Sequence, residues 1–248
     1  MSVVIPFSLK TAFRIAFLVV ITTLGTASGS LAYLAKRQPS AQVITRCTGH
    51  KVAALTFDDG PSQYLKNVSD ALTAVGGKGT FFFNGNNWVN IYGEAPASNV
   101  LYAYQKGHQI ASHTWSHSDL TKLTHDQVVA EFQKTDDAIE KITGVRPAFM
   151  RPPYGNYNDL VKSVAQERGQ YIVLWDMDSE DSVGASPDKS KTLFDDLVER
   201  NPDNILALMH DTLTSTAHIV APHAIQVLHK AGYRLVTVAE CVGLPPYQ

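Results

Sequence analysis

From residue 52 onward, short apolar runs alternate with longer stretches of helical period. The runs Val52–Phe57, Thr80–Asn84, Gln109–Ala111, Ala148–Arg151, Tyr171–Trp175, Ile205–Met209 and Arg234–Val238 are predicted as strands. The helical stretches carry their own punctuation. The clearest is expected over Asp126–Thr143. There Thr124 and Gln127 form a capping box, Val128, Phe132, Ile139 and Ile142 mark one face, and Gly144 supplies the stop. A second starts at Asn158 and stops at Gly169, and a third ends at Gly232. Seven strand–helix alternations imply a single α/β domain with a parallel sheet. Periodicity does not choose between a closed barrel and an open sheet. There is no internal repeat and no low-complexity tract.

The first 46 residues differ in kind. They hold five basic residues (Lys10, Arg14, Lys36, Arg37, Arg46) and no acidic one, so of the chain's 21 Lys plus Arg and 23 Asp plus Glu, the other 202 residues carry a net charge of −7. Residues 1–30 have the build of a targeting segment: Lys10 and Arg14, the apolar run Ile15–Ile21, then small residues with Gly25-Thr26-Ala27 as a small-x-small cleavage site. A cleaved secretory signal is favoured. The rival is an uncleaved signal anchor, because Ile15–Tyr33 is free of charge and near the ~20 residues that span a bilayer. Basic residues flank both ends, so the charge rule does not separate the two. Residues 31–46 are expected to be a linker, followed by a domain over 47–242 and a tail over 243–248. The composition excludes collagen-like, disordered and disulfide-framework proteins. The total charge of −2 lacks the basic excess of a nucleic-acid binder.

Secretion changes the meaning of the two cysteines. Cys47 and Cys241 stand at the two edges of the acidic domain, and in an oxidising compartment such a lone pair is expected to be bridged. Asn67-Val68-Ser69 is the only N-glycosylation sequon and fits the same compartment.

In parallel α/β folds the chemistry sits where strands end at their C-terminal edge. Five elements lie there. In Thr56-Phe57-Asp58-Asp59-Gly60-Pro61, adjacent carboxylates would face opposite ways on a continuing strand, but a break at Gly60 and Pro61 would turn both to one pocket. In His113-Thr114-Trp115-Ser116-His117, two imidazoles four apart would meet on one face of a helix or helical turn. With an Asp they form a metal set that leaves open coordination positions. In Arg151-Pro152-Pro153-Tyr154-Gly155 the prolines donate no N–H, so Tyr154 presents the first one after Arg151, on a stiff backbone suited to an oxyanion. Trp175-Asp176-Met177-Asp178-Ser179-Glu180-Asp181 concentrates acids at a strand end, and Ile205–Asp211 places His210 at the end of an apolar strand. Taken singly, each has a plain structural explanation.

Together, in this order and wording, the five elements resemble the polysaccharide deacetylases of the NodB type, carbohydrate esterase family 4, and within it the fungal chitin deacetylases. The likeness spans roughly residues 47–242, and Phe81–Trp88 and the cysteine placement share it. What it implies is a distorted (β/α) barrel of about seven parallel strands and a metal-dependent hydrolase of N-acetyl groups. By the resemblance, Asp59, His113 and His117 hold the metal, Asp58 is the base oriented by Arg151, and His210 is the acid supported by Asp181. Tyr154 is the backbone oxyanion donor, and Tyr154 and Leu208 touch the sugar; Trp88 is the candidate for stacking on a sugar ring, with plain core packing as its alternative. Two imidazoles and one carboxylate make zinc the default, with cobalt or manganese compatible. One departure stands out: the family usually has an aromatic residue directly after the Asp that matches Asp181, and here it is Ser182. Trp115, between the two imidazoles, can serve the core or a sugar.

The expected function is deacetylation of N-acetylglucosamine residues in chitin or its oligomers by a monomeric protein, secreted or at the cell wall. Membrane attachment is expected only if the leader is uncleaved. Peptidoglycan deacetylation and acetylxylan esterase activity are the enzymatic alternatives. A non-catalytic, metal-containing carbohydrate-binding domain is the alternative of another class, and it is disfavoured because no member of the catalytic set is missing.

Overall fold

Two strands far apart in a sheet but joined by only a few residues leave it little choice of shape, and here one such link forces it to curl. A computed structural model describes residues 41–248. The leader over 1–30, the site of the expected signal or anchor, and the first ten linker residues lie outside the described residues. The elements in order are β1 Val43–Ile44, β2 Val52–Gly60, α1 Leu65–Ala74, β3 Thr80–Phe83, α2 Glu94–Gln105, β4 Gln109–Ser112, α3 His125–Thr143, β5 Phe149–Met150, α4 Asp159–Glu167, β6 Tyr171–Val173, β7 Met177–Asp178, α5 Pro187–Arg200, β8 Asn204–Met209, α6 Ala221–Lys230, β9 Arg234–Leu235 and α7 Val238–Val242. The strands pair in the order β1-β6-β5-β4-β3-β2-β8-β7, with β9 on β2, and every ladder between them is parallel.

β6 and β7 stand near opposite ends of this order, yet only Leu174, Trp175 and Asp176 separate them in sequence. Six inter-strand steps on a flat sheet would cover about 29 Å, whereas four Cα–Cα steps reach at most about 14 Å. The sheet must therefore bend round until its ends approach. β1 and β7 are not paired with each other, so the result is a distorted, incompletely closed barrel.

Strand alternation then sorts the core. Val52, Ala54, Phe82, Ala111, Phe149, Val173 and Leu206 pack together in the lumen. Ala53, Leu55, Phe57, Phe81, Phe83, Ile205 and Ala207 face the other way, packed with residues of α1, α2, α5 and α6. Met150 and Ile172 pack with residues of α3 and α4. The same parity carries Thr56 and Asp58 into the top of the lumen.

The seven expected strands are all present, with β1 and β7 added. β1 lies in the segment expected to be linker: Val43 and Ile44 pair with Ile172 and Val173, and Ala41 is buried. Two residues carry too little periodicity to be seen in sequence. β9 is shorter than expected and stops at Leu235, because Thr237 and Glu240 form a capping box that starts α7. Helix α3 has the expected Thr124/Gln127 box and ends on Gly144 in the left-handed conformation. The tail is tied down, with Ala148 N–H donating to Pro246 O and Gln248 N–H to Arg146 O.

Cys47 and Cys241 are bridged, with Cα atoms 5.1 Å apart, at the N-terminal end of the barrel. In the sequon, Asn67 is exposed on α1 while Ser69 is buried, its Oγ 2.8 Å from His108 Nε2. No helix among the described residues is long and apolar enough to cross a membrane.

Candidate active site

All five elements of the expected site meet at the C-terminal rim of the barrel, but two of them arrive by other routes than expected. β2 is not broken before Gly60; it runs through it, and its register with β3 shifts between Phe57 and Gly60. At that bulge Asp59 takes φ +69°, which swings its carboxylate to the side that Asp58 already faces. His113 and His117 are not on a helix. The segment after β4 is an irregular loop in which Thr114 and His117 both have positive φ. Asn84 pins this loop by donating from Nδ2 to the carbonyls of His113 and Thr114. Gly85 leaves it room, since a Cβ there would lie 1.9 Å from the Trp115 ring.

The loop brings His113 Nε2 and His117 Nε2 within 3.5 and 3.2 Å of Asp59 Oδ1. His113 Nδ1–H donates to Arg151 O at 2.8 Å, which fixes the tautomer and leaves the Nε2 lone pair pointing at Asp59. Burial pushes the His113 imidazole down to about 3, against the pull of Asp59, so it stays neutral. Asp59 Oδ1 is buried and accepts no hydrogen bond. A carboxylate oxygen without a donor beside two imidazole nitrogens is a poor arrangement for protein alone and a good one for a divalent cation. These three residues are the one such group among the described residues.

Asp58 and His210 flank that group, each with a buried partner. Arg151 is fully buried and spreads its guanidinium over four acceptors. Nη1 donates to Asp58 Oδ1 and Thr56 Oγ1, both at 2.7 Å, Nη2 to Leu174 O and Nε to Val173 O. Its Cζ lies 4.3 Å from the centre of the Phe82 ring. Burial raises the Asp58 carboxyl above the usual carboxylate range despite Arg151. Asp58 Oδ2, not engaged by Arg151, lies 3.7 Å from His113 Nε2. On the other side, Asp181 Oδ1 accepts from His210 Nδ1–H at 2.8 Å, while Oδ2 accepts from His210 N–H and Thr216 Oγ1. Burial disfavours the charged imidazole, but the hydrogen bond and charge of Asp181, with Asp58 and Asp59, outweigh it and hold His210 at about 9.

The expected substrate contacts sort by exposure. Trp88 is 72% exposed, so it is no core residue, and Tyr154 is exposed beside the Asp59–His113–His117 group, its ring centre 4.8 Å from that of His117. Tyr154 has φ +60° inside the short turn Pro153–Gly155. Leu208 is 5% exposed and forms part of the barrel wall. Ser182 and Val183 are both exposed, so no aromatic wall stands at the departure noted above. Trp115 packs against the core. The sequence passed over Thr216 and, though Thr56 and Asn84 lie in the segments it singled out, gave neither a role, because the partners of all three are distant in the chain.

The polysaccharide deacetylase family model matches residues 45–173, just over half of the chain, and the protein belongs to this family. It is 35% identical over 209 residues to a chitin deacetylase of Arthroderma benhamiae, with 84% of this chain and 56% of that protein covered. It is 36% identical over 211 residues to a probable peptidoglycan-N-acetylglucosamine deacetylase of the same fungus, covering 84% of this chain and 47% of that protein. The chain thus spans about half the length of these curated relatives. The solved chitin deacetylase of Colletotrichum lindemuthianum superposes with a TM-score of 0.79 at 29% identity, over 85% of this chain and 96% of that one.

Proposed function

We propose that the protein is a metal-dependent N-deacetylase acting on N-acetylglucosamine residues of chitin or chitin oligomers, releasing acetate and leaving a free amine. The observation that carries this is that Asp58, bonded to the buried Arg151, and His210, bonded to Asp181, stand on either side of one Asp–His–His group. A divalent cation held by Asp59, His113 and His117 would polarise the acetamide oxygen and acidify a water; zinc suits this donor set, with cobalt or manganese compatible. Asp58 takes the proton of the attacking water at Oδ2, because Oδ1 is committed to Arg151. The peptide N–H of Tyr154 faces the oxyanion. His210 delivers a proton from Nε2 to the sugar nitrogen, since Nδ1–H is engaged by Asp181. An amide nitrogen leaves poorly unless protonated, so base and acid must be separate groups.

Trp88 and Tyr154 offer exposed ring faces to a sugar, and Leu208 backs the site from the barrel wall. The disulfide fits an oxidising compartment, and with the leader it supports a secreted or cell-wall protein; in that compartment the exposed Asn67 of the sequon would be open to glycosylation. A protein that only bound carbohydrate would have no use for an imidazole held protonated beside a carboxylate.

The test is acetate release from chitin oligomers, peptidoglycan and acetylated xylan side by side, with and without chelator. Release is expected to be fastest from chitin oligomers and abolished by chelation. Release from peptidoglycan or xylan alone, or release indifferent to chelator, overturns the proposal.

A further inference from the structure

The pairing of β2 with β8 ends at Phe57 and Met209. Asp58, Asp59 and His210 therefore lie beyond its last rung, on two segments that part there, one bulging through Asp59 and the other leaving its strand. Among the described residues no hydrogen bond runs directly from Asp58 or Asp59 to His210. The segments are rejoined just past them. Ser62 Oγ donates to Asp211 Oδ2 at 2.6 Å, and both residues are buried. Ser62 is itself held on two other sides: its Oγ accepts from Tyr64 N–H at 3.1 Å, and its carbonyl accepts from Asn99 Nδ2 of α2 at 2.8 Å. A second tie runs alongside, from Thr214 Oγ1 to Tyr64 OH at 2.8 Å.

Asp211 is an odd residue to find there on grounds of stability. It is fully buried, its second oxygen, Oδ1, has no partner, and burial raises its carboxyl to about 7. A buried carboxyl with one bare oxygen costs stability relative to an apolar side chain of similar size. It touches neither the metal group nor, in the mechanism above, the substrate.

We propose that Asp211 is a positioning residue: its bond to Ser62 closes a bracket opened by the Phe57–Met209 rung, and the bracket sets the separation between the Asp58–Asp59 side of the site and His210. The proposal rests on the acid–base roles given above. Misplacing reacting groups by about 1 Å can cost about 10²-fold, and the loss falls on turnover, because substrate is held elsewhere. The neutral amide of Asn can accept the same Ser62 hydroxyl, so the tie, as distinct from the charge, can be isolated.

The experiment is a double-mutant cycle on acetate release. Asp211→Ala and Ser62→Ala are each expected to lower kcat by about 10- to 100-fold with KM within about threefold, and the double variant to be no slower than the slower single. Asp211→Asn is expected to stay within about fivefold of the parent, by retaining the bond. The proposal is overturned if the two single losses multiply in the double variant, if the loss lies in KM, or if Asp211→Asn is as slow as Asp211→Ala. Should Asp211→Ala fail to fold, a slow Ser62→Ala beside a near-normal Asp211→Asn still supports it, and equal rates for those two overturn it. If the parent releases no acetate from any N-acetylated substrate, the deacetylase assignment fails; the Ser62–Asp211 tie is then read from thermal unfolding of the parent, the two alanine variants and their double, where additive losses overturn it and non-additive losses support it.

Discussion

Two ion pairs of the same composition, a carboxylate against a nitrogen cation, stand on either side of the Asp59–His113–His117 group, Asp58–Arg151 buried and His210–Asp181 partly so, and the proposed mechanism gives them opposite tasks. In Asp58–Arg151 the cation cannot release its proton at any working pH. Whatever titrates there must be the carboxylate, and burial has made Asp58 a stronger base than an exposed aspartate. In His210–Asp181 the anion is the better-anchored member, holding three hydrogen bonds. Whatever titrates there must be the imidazole, and it is kept charged up to about 9. In the proposed mechanism one pair accepts a proton and the other gives one, and the difference lies in which partner is immovable.

The comparison breaks most completely when the titrating member is removed. Asp58→Asn and His210→Ala are each expected to lower acetate release by about 10³-fold. Elemental analysis should find the metal content of both unchanged, since neither residue belongs to the Asp59–His113–His117 group; loss of metal in Asp58→Asn would mean that it is a ligand rather than the base. Removing the immovable partner comes next. Arg151→Lys keeps the charge but cannot reach Thr56, Asp58, Val173 O and Leu174 O together, so a loss between about 10- and 100-fold is expected. A lysine variant with full activity would show that charge alone orients Asp58.

Asp181→Asn sharpens the contrast without abolishing either role. The acid must be protonated, so activity of the parent is expected to fall as pH rises through the His210 value, about 9 from its protein surroundings. A bound cation nearby draws that value downward. In the variant the amide oxygen still accepts from Nδ1–H, but the anion is gone and desolvation, which favours neutral imidazole, prevails. The alkaline limb is expected to move to lower pH, with rates below it nearly unchanged. NMR titration of His210 in the metal-free protein checks the same point without turnover, and an unmoved titration would show that Asp58 and Asp59, rather than Asp181, hold the charge.

Much of this contrast was legible along the chain, but unevenly. Each member of both pairs is named by a local motif at the end of an apolar run, because strand ends converge in any curled parallel sheet. The closing of that sheet was not legible in periodicity. It follows from the three residues between β6 and β7, and β7 is a two-residue strand without a period of its own. The routes into the site were misjudged where backbone conformation decides. A positive φ at Asp59, Thr114 and His117 leaves no mark in residue type, since none of them is glycine. The short terminal strand gave way to α7 because Thr237 and Glu240 cap a helix more effectively than they extend a sheet. Ser62–Asp211 joins residues 149 apart in sequence, beyond any local signal.

The smallest effect is expected from the far end of the barrel. The Cys47–Cys241 bridge closes 194 residues and ties the entry to β2 to helix α7, beside the starts of β2, β8 and β9. Both ion pairs sit at the opposite ends of these strands and share no partner with the sulfurs. Removing the bridge therefore enlarges the freedom of the unfolded chain without changing what Arg151 or Asp181 touch. A Cys47→Ser, Cys241→Ser variant is expected to lose about 2–5 kcal/mol of stability, seen as a lower Tm, while acetate release below that temperature stays within about twofold of the parent. If the rate instead fell in step with Tm, or if the alkaline limb moved with it, the two pairs would depend on the clamp as well as on their own partners.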